Sequence, residues 1–262
     1  MHAHVPRKRF GQHFLHDAGI LRRIVQTVAP KPGDNLVEIG PGEGALTLPL
    51  LHEAGRLIAI ELDRDLVPRL HAVAESVGEL EIISADVLTV DFTALARSGP
   101  LRIVGNLPYN ISSSILFHCI EHIDAIRDMH FMLQKEVVDR MAAAPGSKVY
   151  GRLSVMLQLA CRVDPLLRVP PGAFRPPPKV ESAVVRLVPR APSERTFADP
   201  ALLSRIVKAA FGQRRKTLAN ALRDLASTDT IAAAGIDPRT RAEQLAPSAF
   251  VALADVLKDG SR

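Results

Sequence analysis

Val37-Glu38-Ile39-Gly40-Pro41-Gly42-Glu43-Gly44 is the stretch on which the fold turns. Residues 35–39 form a short apolar run holding one acid, and Pro32-Gly33-Asp34 before it is a turn signal. That pattern predicts a buried strand. Gly40, Gly42 and Gly44 follow at alternate positions. Glycine adopts backbone angles closed to other residues and lets a ligand approach the main chain closely. Residues 45–51 resume an apolar pattern at helical spacing, with Pro49 near its start. A strand, a glycine turn and a helix open a doubly wound α/β sheet, in which ligands bind beyond the carboxyl ends of the strands.

The next strands carry acids toward the same edge. Residues 56–62 are a hydrophobic strand ending in Glu61, with Asp63 just beyond. An acid about twenty residues past the glycine turn suits a ribose diol, because a carboxylate accepts from both hydroxyls. Asp63 reads instead as a solvated acid at a strand end. A third strand, 80–84, leads to Asp86, which either accepts from an adenine amino group or caps the following turn. The fourth strand, 101–105, delivers Asn106-Leu107-Pro108-Tyr109. A dehydrogenase site gives no reason for that motif, whereas transfer of a methyl group to a base amine does. The exocyclic amine of adenine is a poor nucleophile, since its lone pair is delocalised into the ring. The side-chain carbonyl of Asn106 and a neighbouring main-chain carbonyl can accept its two hydrogens and favour a pyramidal nitrogen. Pro108 removes a donor and restricts Leu107, turning the Leu107 carbonyl inward. Tyr109 offers a face for a flipped base. A methyl sulfonium brings its own leaving group, so orientation and preorganised polarity are the work left to the protein.

These motifs, with Arg7-Lys8-Arg9-Phe10-Gly11-Gln12-His13-Phe14-Leu15 and the stretches 106–112, 170–187 and 211–222, make the chain similar to the small-subunit ribosomal RNA adenine dimethyltransferases. The resemblance runs almost end to end. It implies a Rossmann-like class I methyltransferase fold, a seven-stranded and mostly parallel sheet with one antiparallel strand near an edge, and a small C-terminal all-helical domain. It also implies S-adenosylmethionine as methyl donor, contacted at His13, Leu15, Gly40, Glu61, Asp86 and Asn106. The implied target is two adjacent adenosines near the 3′ end of 16S rRNA, in small ribosomal subunits or their precursor. Many relatives have asparagine where this chain has His13; both side chains donate from nitrogen.

Composition fits this reading. The 262 residues are 47% hydrophobic, enough for one large domain and a small one. Cys119 and Cys161, the only cysteines, lie in apolar stretches without metal-ligand spacing and read as reduced core residues. No metal site is expected; His2 and His4 are too sparse for one. No apolar stretch is long enough to span a bilayer, and the basic N-terminus lacks a signal core, so a soluble, monomeric, cytoplasmic protein is expected. Net charge is +5 and the sequence pI near 9.5. Basic residues cluster at Arg7-Lys8-Arg9 and Arg214-Arg215-Lys216, with Arg205, Lys208 and Arg223 nearby, as RNA phosphate contact requires; a solvated helix face has the same pattern.

The boundaries expected are a basic arm over 1–16, the methyltransferase domain over 17–188 and a small helical RNA-binding domain over 189–262. Residues 189–193 supply a proline-bearing linker, and Asp199-Pro200 a helix cap and first-turn pair. In the stretch 169–179 five prolines stiffen a loop around Phe174. The family resemblance places that ring beside the target base, opposite Tyr109, with the loop holding it exposed; a ring plugging the core is the alternative. Rivals are a related methyltransferase acting on 23S rRNA, an assembly or nucleic-acid-binding factor without activity, and, more distantly, an NAD-dependent oxidoreductase.

Overall fold

The computed structural model describes residues 13–195, 199–213 and 215–260. Seven strands form one sheet: β2 (Asn35–Ile39), β3 (Arg56–Ile60), β4 (Glu79–Ile83), β5 (Leu101–Asn106), β6 (Ile126–Gln134), β7 (Cys161–Val169) and β9 (Ser182–Pro189). A separate two-stranded ladder pairs β1 (Phe14–Leu15) with β8 (Phe174–Arg175) antiparallel. The spatial order of the large sheet is β4-β3-β2-β5-β6-β9-β7. Pairs from β4 through β6 are parallel, and β9 runs antiparallel to β6 beside the edge. The chain leaves β2 toward β3 and β4, then returns to place β5 on the other flank of β2. Order therefore reverses between β2 and β5, the point at which such sheets open a crevice at their carboxyl ends. Gly40 leaves β2 there, and Asn106 ends β5 there.

Central strands buried on both faces read as continuous apolar runs, and β3 does so beyond Arg56; β2 and β5 each carry an exception, Glu38 and Arg102. Arg102 is 7% exposed, and its guanidinium donates to Asp128 on β6 (2.9 Å), Asp34 before β2 (2.6 Å) and the main-chain oxygen of Val28 (2.6 Å). A buried arginine is tolerated when its donors find such partners. The knot ties the amino-terminal ends of β2, β5 and β6, opposite the crevice.

The chain divides into two compact units. One extends through Val138 and resumes over Asp164–Pro189; the other comprises Asp139–Val163 and the chain from Arg190 onward. The last break falls between Pro189 and Arg190. Assignment of 139–163 differs from the expected 17–188 body. Its helix Arg152–Ala160 buries Ser154, Val155, Met156, Leu157 and Ala160 and packs with the helices Pro200–Gly212 and Pro247–Asp259. A helix lying between two strands in sequence reads as part of the sheet body, but its apolar faces find their partners among the C-terminal helices. Tyr150 and Phe250 pack around Phe211 with ring centroids 5.9 and 5.8 Å away, and the Tyr150 hydroxyl donates to Leu245 O. Asp199 caps Pro200–Gly212 by accepting from Leu202 N–H at 2.9 Å. Neither cysteine is in a disulfide and both are buried, and burial pushes the Cys161 thiol up to about 12.

Candidate active site

The glycine turn builds a cradle open to a ligand. Gly40, Gly42 and Gly44 all have positive φ (68°, 59° and 88°). A Cβ on Gly42 would stand 2.9 Å from the Phe14 ring, so glycine is required for β1 to lie against the turn. Gly42 N–H donates to Glu61 Oε2 at 3.2 Å, and Asp63 N–H donates to Glu61 Oε1 at 2.8 Å. These two bonds orient a carboxylate that is only 6% exposed, and each oxygen keeps a further lone pair for a hydroxyl. Burial, the largest influence, pushes the Glu61 carboxyl above its usual range, against the hydrogen bonds from Asp63 and Gly42. Below the turn, Glu38 is 2% exposed, and its Oε2 and the Thr47 hydroxyl lack hydrogen-bond partners. Burial raises Glu38 to about 8; Thr47, off hydrogen-bonding geometry, opposes the rise and the charge of Glu61 adds to it. The oriented, buried Glu61 carboxyl beside a close-approach glycine turn fits a ligand carrying a ribose diol.

Across the crevice, β5 ends in the second half of the site. A Cβ on Gly105 would stand 2.5 Å from Ile39 O, so only glycine lets β5 and β2 run side by side to their ends. A Cβ on Gly40 would meet Asn106 O at 3.9 Å, which sets the nearness of the two halves. Asn106 Nδ2 donates to His13 O at 2.8 Å. With its nitrogen committed to a main-chain carbonyl, the amide presents its oxygen as an acceptor. Leu107 is 1% exposed and its N–H donates to Met132 O, which anchors the turn on β6. The Tyr109 hydroxyl shares a 2.5 Å hydrogen bond with Ser182 Oγ, and Ser182 is fully buried at the start of β9. The Tyr109 ring stacks on His13 at 5.6 Å between centroids and 27° between planes. His13 Nδ1 lies 2.8 Å from Pro176 O; because a carbonyl only accepts, the ring donates there.

His13, Gly40, Glu61, Asn106, Leu107, Pro108 and Tyr109 all lie in the first unit; His13 meets both Asn106 and Tyr109, and Gly40 lies close to Asn106. Leu15 is 5% exposed, its side chain in the core. Asp86 is exposed at the end of the segment after β4 and uses Oδ1 to cap Val87–Thr89, accepting from Leu88 N–H at 3.0 Å. The capping role left open by the sequence is therefore present. Two expectations need correction. Asp63 is not solvated: it is 2% exposed, and Oδ1 accepts from Asp65 N–H at 3.3 Å. Phe174 is not held exposed: it is 2% exposed, stands opposite Leu15 in the β1–β8 ladder and packs with Leu15, Val169, Ala173 and Val184. Stiff prolines fix the loop, but pairing with β1 turns the ring inward, so Phe174 is the core plug. Arg215 and Lys216 are exposed; Arg7, Lys8, Arg9 and Arg214 lie outside the described residues. Sequence reasoning missed Gly105, Ser182, Thr47 and the burial of Glu38. An acid within an apolar strand was a visible sign of the last; the others depend on what lies opposite them.

The sheet order, the glycine crevice and the Asn106 turn define a class I methyltransferase. The family model for ribosomal RNA adenine dimethylase matches residues 3–259. The chain belongs to that family. It is 60% identical over 250 residues to a ribosomal RNA small subunit methyltransferase A of Xanthomonas campestris pv. campestris strain B100, covering 95% of each chain. Among solved structures it resembles a dimethyladenosine transferase from Plasmodium falciparum, with a TM-score of 0.82 at 26% identity over 95% of this chain and 98% of that one. It also resembles the 23S rRNA methyltransferase ErmE, with a TM-score of 0.70 at 25% identity over 94% and 99%. The chain is thus an rRNA adenine dimethyltransferase, and S-adenosylmethionine is its methyl donor. Among the described residues no helix is long and apolar enough to cross a membrane.

Proposed function

We propose that this enzyme dimethylates the exocyclic amines of two adjacent adenosines in the 3′-terminal hairpin of 16S rRNA, within the small ribosomal subunit or its precursor. A 60% identity to an enzyme named for the small subunit supports this over a 23S rRNA target, whose representative is 25% identical. The observation that carries the chemistry is the Asn106 amide, fixed through Nδ2 to His13 O so that its oxygen is left to accept. S-adenosylmethionine supplies a methyl group on a sulfonium with its own leaving group. Glu61 accepts from the ribose hydroxyls, Asp86 receives the adenine amino group on the oxygen its cap leaves over, and His13, Leu15 and Gly40 complete the donor contacts. Asn106 and the Leu107 carbonyl accept the hydrogens of the target amine, and Tyr109 stacks the extruded base. Arg215 and Lys216, with Arg7, Lys8, Arg9 and Arg214, contact RNA phosphate. The enzyme acts as a cytoplasmic monomer contributing to small-subunit biogenesis.

Incubating the protein with labelled donor and small subunits lacking the modification tests this reading. Label is expected on two neighbouring adenosines near the 3′ end of 16S rRNA. Label confined to 23S rRNA in a mixed ribosomal preparation, or no label on any base, would defeat it.

A further inference from the structure

A buried acid beside the donor site has no part in the chemistry described so far. Asp63 is 2% exposed and lies two residues beyond Glu61. Its charge does not explain its place. Burial pushes the Glu61 carboxyl up; the Asp63 N–H, donating to Glu61 Oε1 at 2.8 Å, opposes that rise, and the Asp63 carboxylate adds to it more weakly. What Asp63 contributes is therefore its main-chain donor. The direction of that N–H is set by the turn that follows, and Asp63 closes the turn itself. Its Oδ1 accepts from Asp65 N–H at 3.3 Å, and its carbonyl oxygen accepts from Leu66 N–H at 3.0 Å. Leu66 is fully buried immediately before the helix Val67–Ala74. Aspartate suits this task because its short side chain bonds the backbone two residues on. Gly42 N–H holds the other oxygen, Oε2, at 3.2 Å. The Glu61 carboxylate is thus gripped by one turn on each side. We propose that Asp63 is a positioning residue for the methyl-donor site: its side chain locks the turn 63–66, which keeps the Asp63 N–H on Glu61 and aims that carboxylate at the donor's ribose. This rests on the reading that Glu61 accepts from the ribose hydroxyls. The turn needs an acceptor at residue 63 and not a negative charge, so asparagine serves there and alanine does not.

Calorimetric titration with S-adenosylmethionine tests this in full-length Asp63→Ala, Asp63→Asn, Glu61→Ala and the double alanine variant, with affinity counted per folded molecule. Asp63→Ala is expected to weaken donor binding by roughly tenfold, the scale of one hydrogen bond to a charged group. The loss should appear in the KM for donor, with much less change in kcat at saturating donor. Asp63→Asn is expected to recover most of the affinity. The double variant should bind no more weakly than Glu61→Ala, because a residue that acts through Glu61 then has nothing left to position. Parental affinity in Asp63→Ala would overturn the proposal. Equal losses in Asp63→Ala and Asp63→Asn would overturn it too, assigning the effect to the charge. Additive losses in the double variant would show Asp63 acting on the donor by another route, and would overturn it as well. Should Asp63→Ala not fold, Asp63→Ser, whose hydroxyl closes such turns more weakly, takes its place with a smaller loss expected, and the same outcomes decide. Parental affinity in Glu61→Ala would remove Glu61 from the ribose and the proposal with it, whereas the other outcomes overturn the proposal alone.

Discussion

On the proposed chemistry, Asn106 holds an amide oxygen still at the place where a nitrogen must react. Asn106→Ala removes that acceptor, so methyl transfer in a single turnover, with donor and small subunits both saturating, should slow by about a hundredfold, roughly 3 kcal/mol. A normal rate under those conditions would reduce Asn106 to a turn residue. Glu38 makes a different demand. Its carboxyl keeps a proton up to about 8 in the folded chain but has an ordinary value of 4.5. The unfolded chain gives up that proton first, so the buried acid costs nothing below about 4.5 and progressively more as pH rises to about 8. At pH 7 the gap corresponds to roughly 3 kcal/mol, at about 1.4 kcal/mol per pH unit. Glu38→Gln, which mimics the protonated form, should therefore be more stable than the parent at neutral pH and indistinguishable from it in acid. Urea unfolding of both proteins across that range checks the sign; parallel pH profiles would show that the carboxyl is already ionised in the fold.

Elements meet here through positions that admit no side chain. Gly105 sits where β5 passes Ile39 O, and a Cβ 2.5 Å from that oxygen must push two main chains apart. Gly105→Ala should destabilise the protein by about 1–3 kcal/mol, the usual scale of overpacking. It should also weaken donor binding, because the displaced ends carry Gly40 and Asn106. Calorimetry together with denaturant unfolding reads both effects, and an alanine variant with parental stability and affinity would contradict the close approach. The β1–β8 ladder supplies the complementary case. Phe174→Ala leaves a cavity between Leu15, Val169, Ala173 and Val184 and should cost about 3–5 kcal/mol. If unfolding were unaffected while substrate KM rose, the ring would belong to the base site after all.

At the scale of the whole molecule, a net charge of +5 matters through where the charge lies. Arg215 and Lys216 are exposed in the turn that follows Pro200–Gly212. Replacing both with glutamine should weaken binding to small subunits. The slope of log affinity against log salt should fall by about one unit for each phosphate no longer neutralised. An unchanged slope would leave them as solvated side chains. The unit that carries them is longer than the linker implied, since it includes Asp139–Val163. Cleaving at the linker to isolate the C-terminal helices would therefore strand the apolar faces of 200–212 and 247–259 without the helix Arg152–Ala160 that packs on them.

The sequence by itself determined the crevice and its chemistry. Glycines at alternate positions after an apolar strand permit a cradle wherever they fall, and the order of Glu61, Asp86 and Asn106 after successive strands places them on one sheet edge because parallel strands share a carboxyl end. Local chemistry was equally legible at Asp199-Pro200, whose cap depends only on its own neighbours. Tertiary structure decided what depends on a partner far away in the chain. Phe174 turns inward because Leu15 stands opposite it, Gly105 is indispensable because Ile39 O passes beside it, and His13 reaches Tyr109 because β1 pairs with β8. The helix Arg152–Ala160 joins the C-terminal helices for the same reason. An apolar face or a missing Cβ shows that something must pack there, and only the folded chain supplies the residue that does.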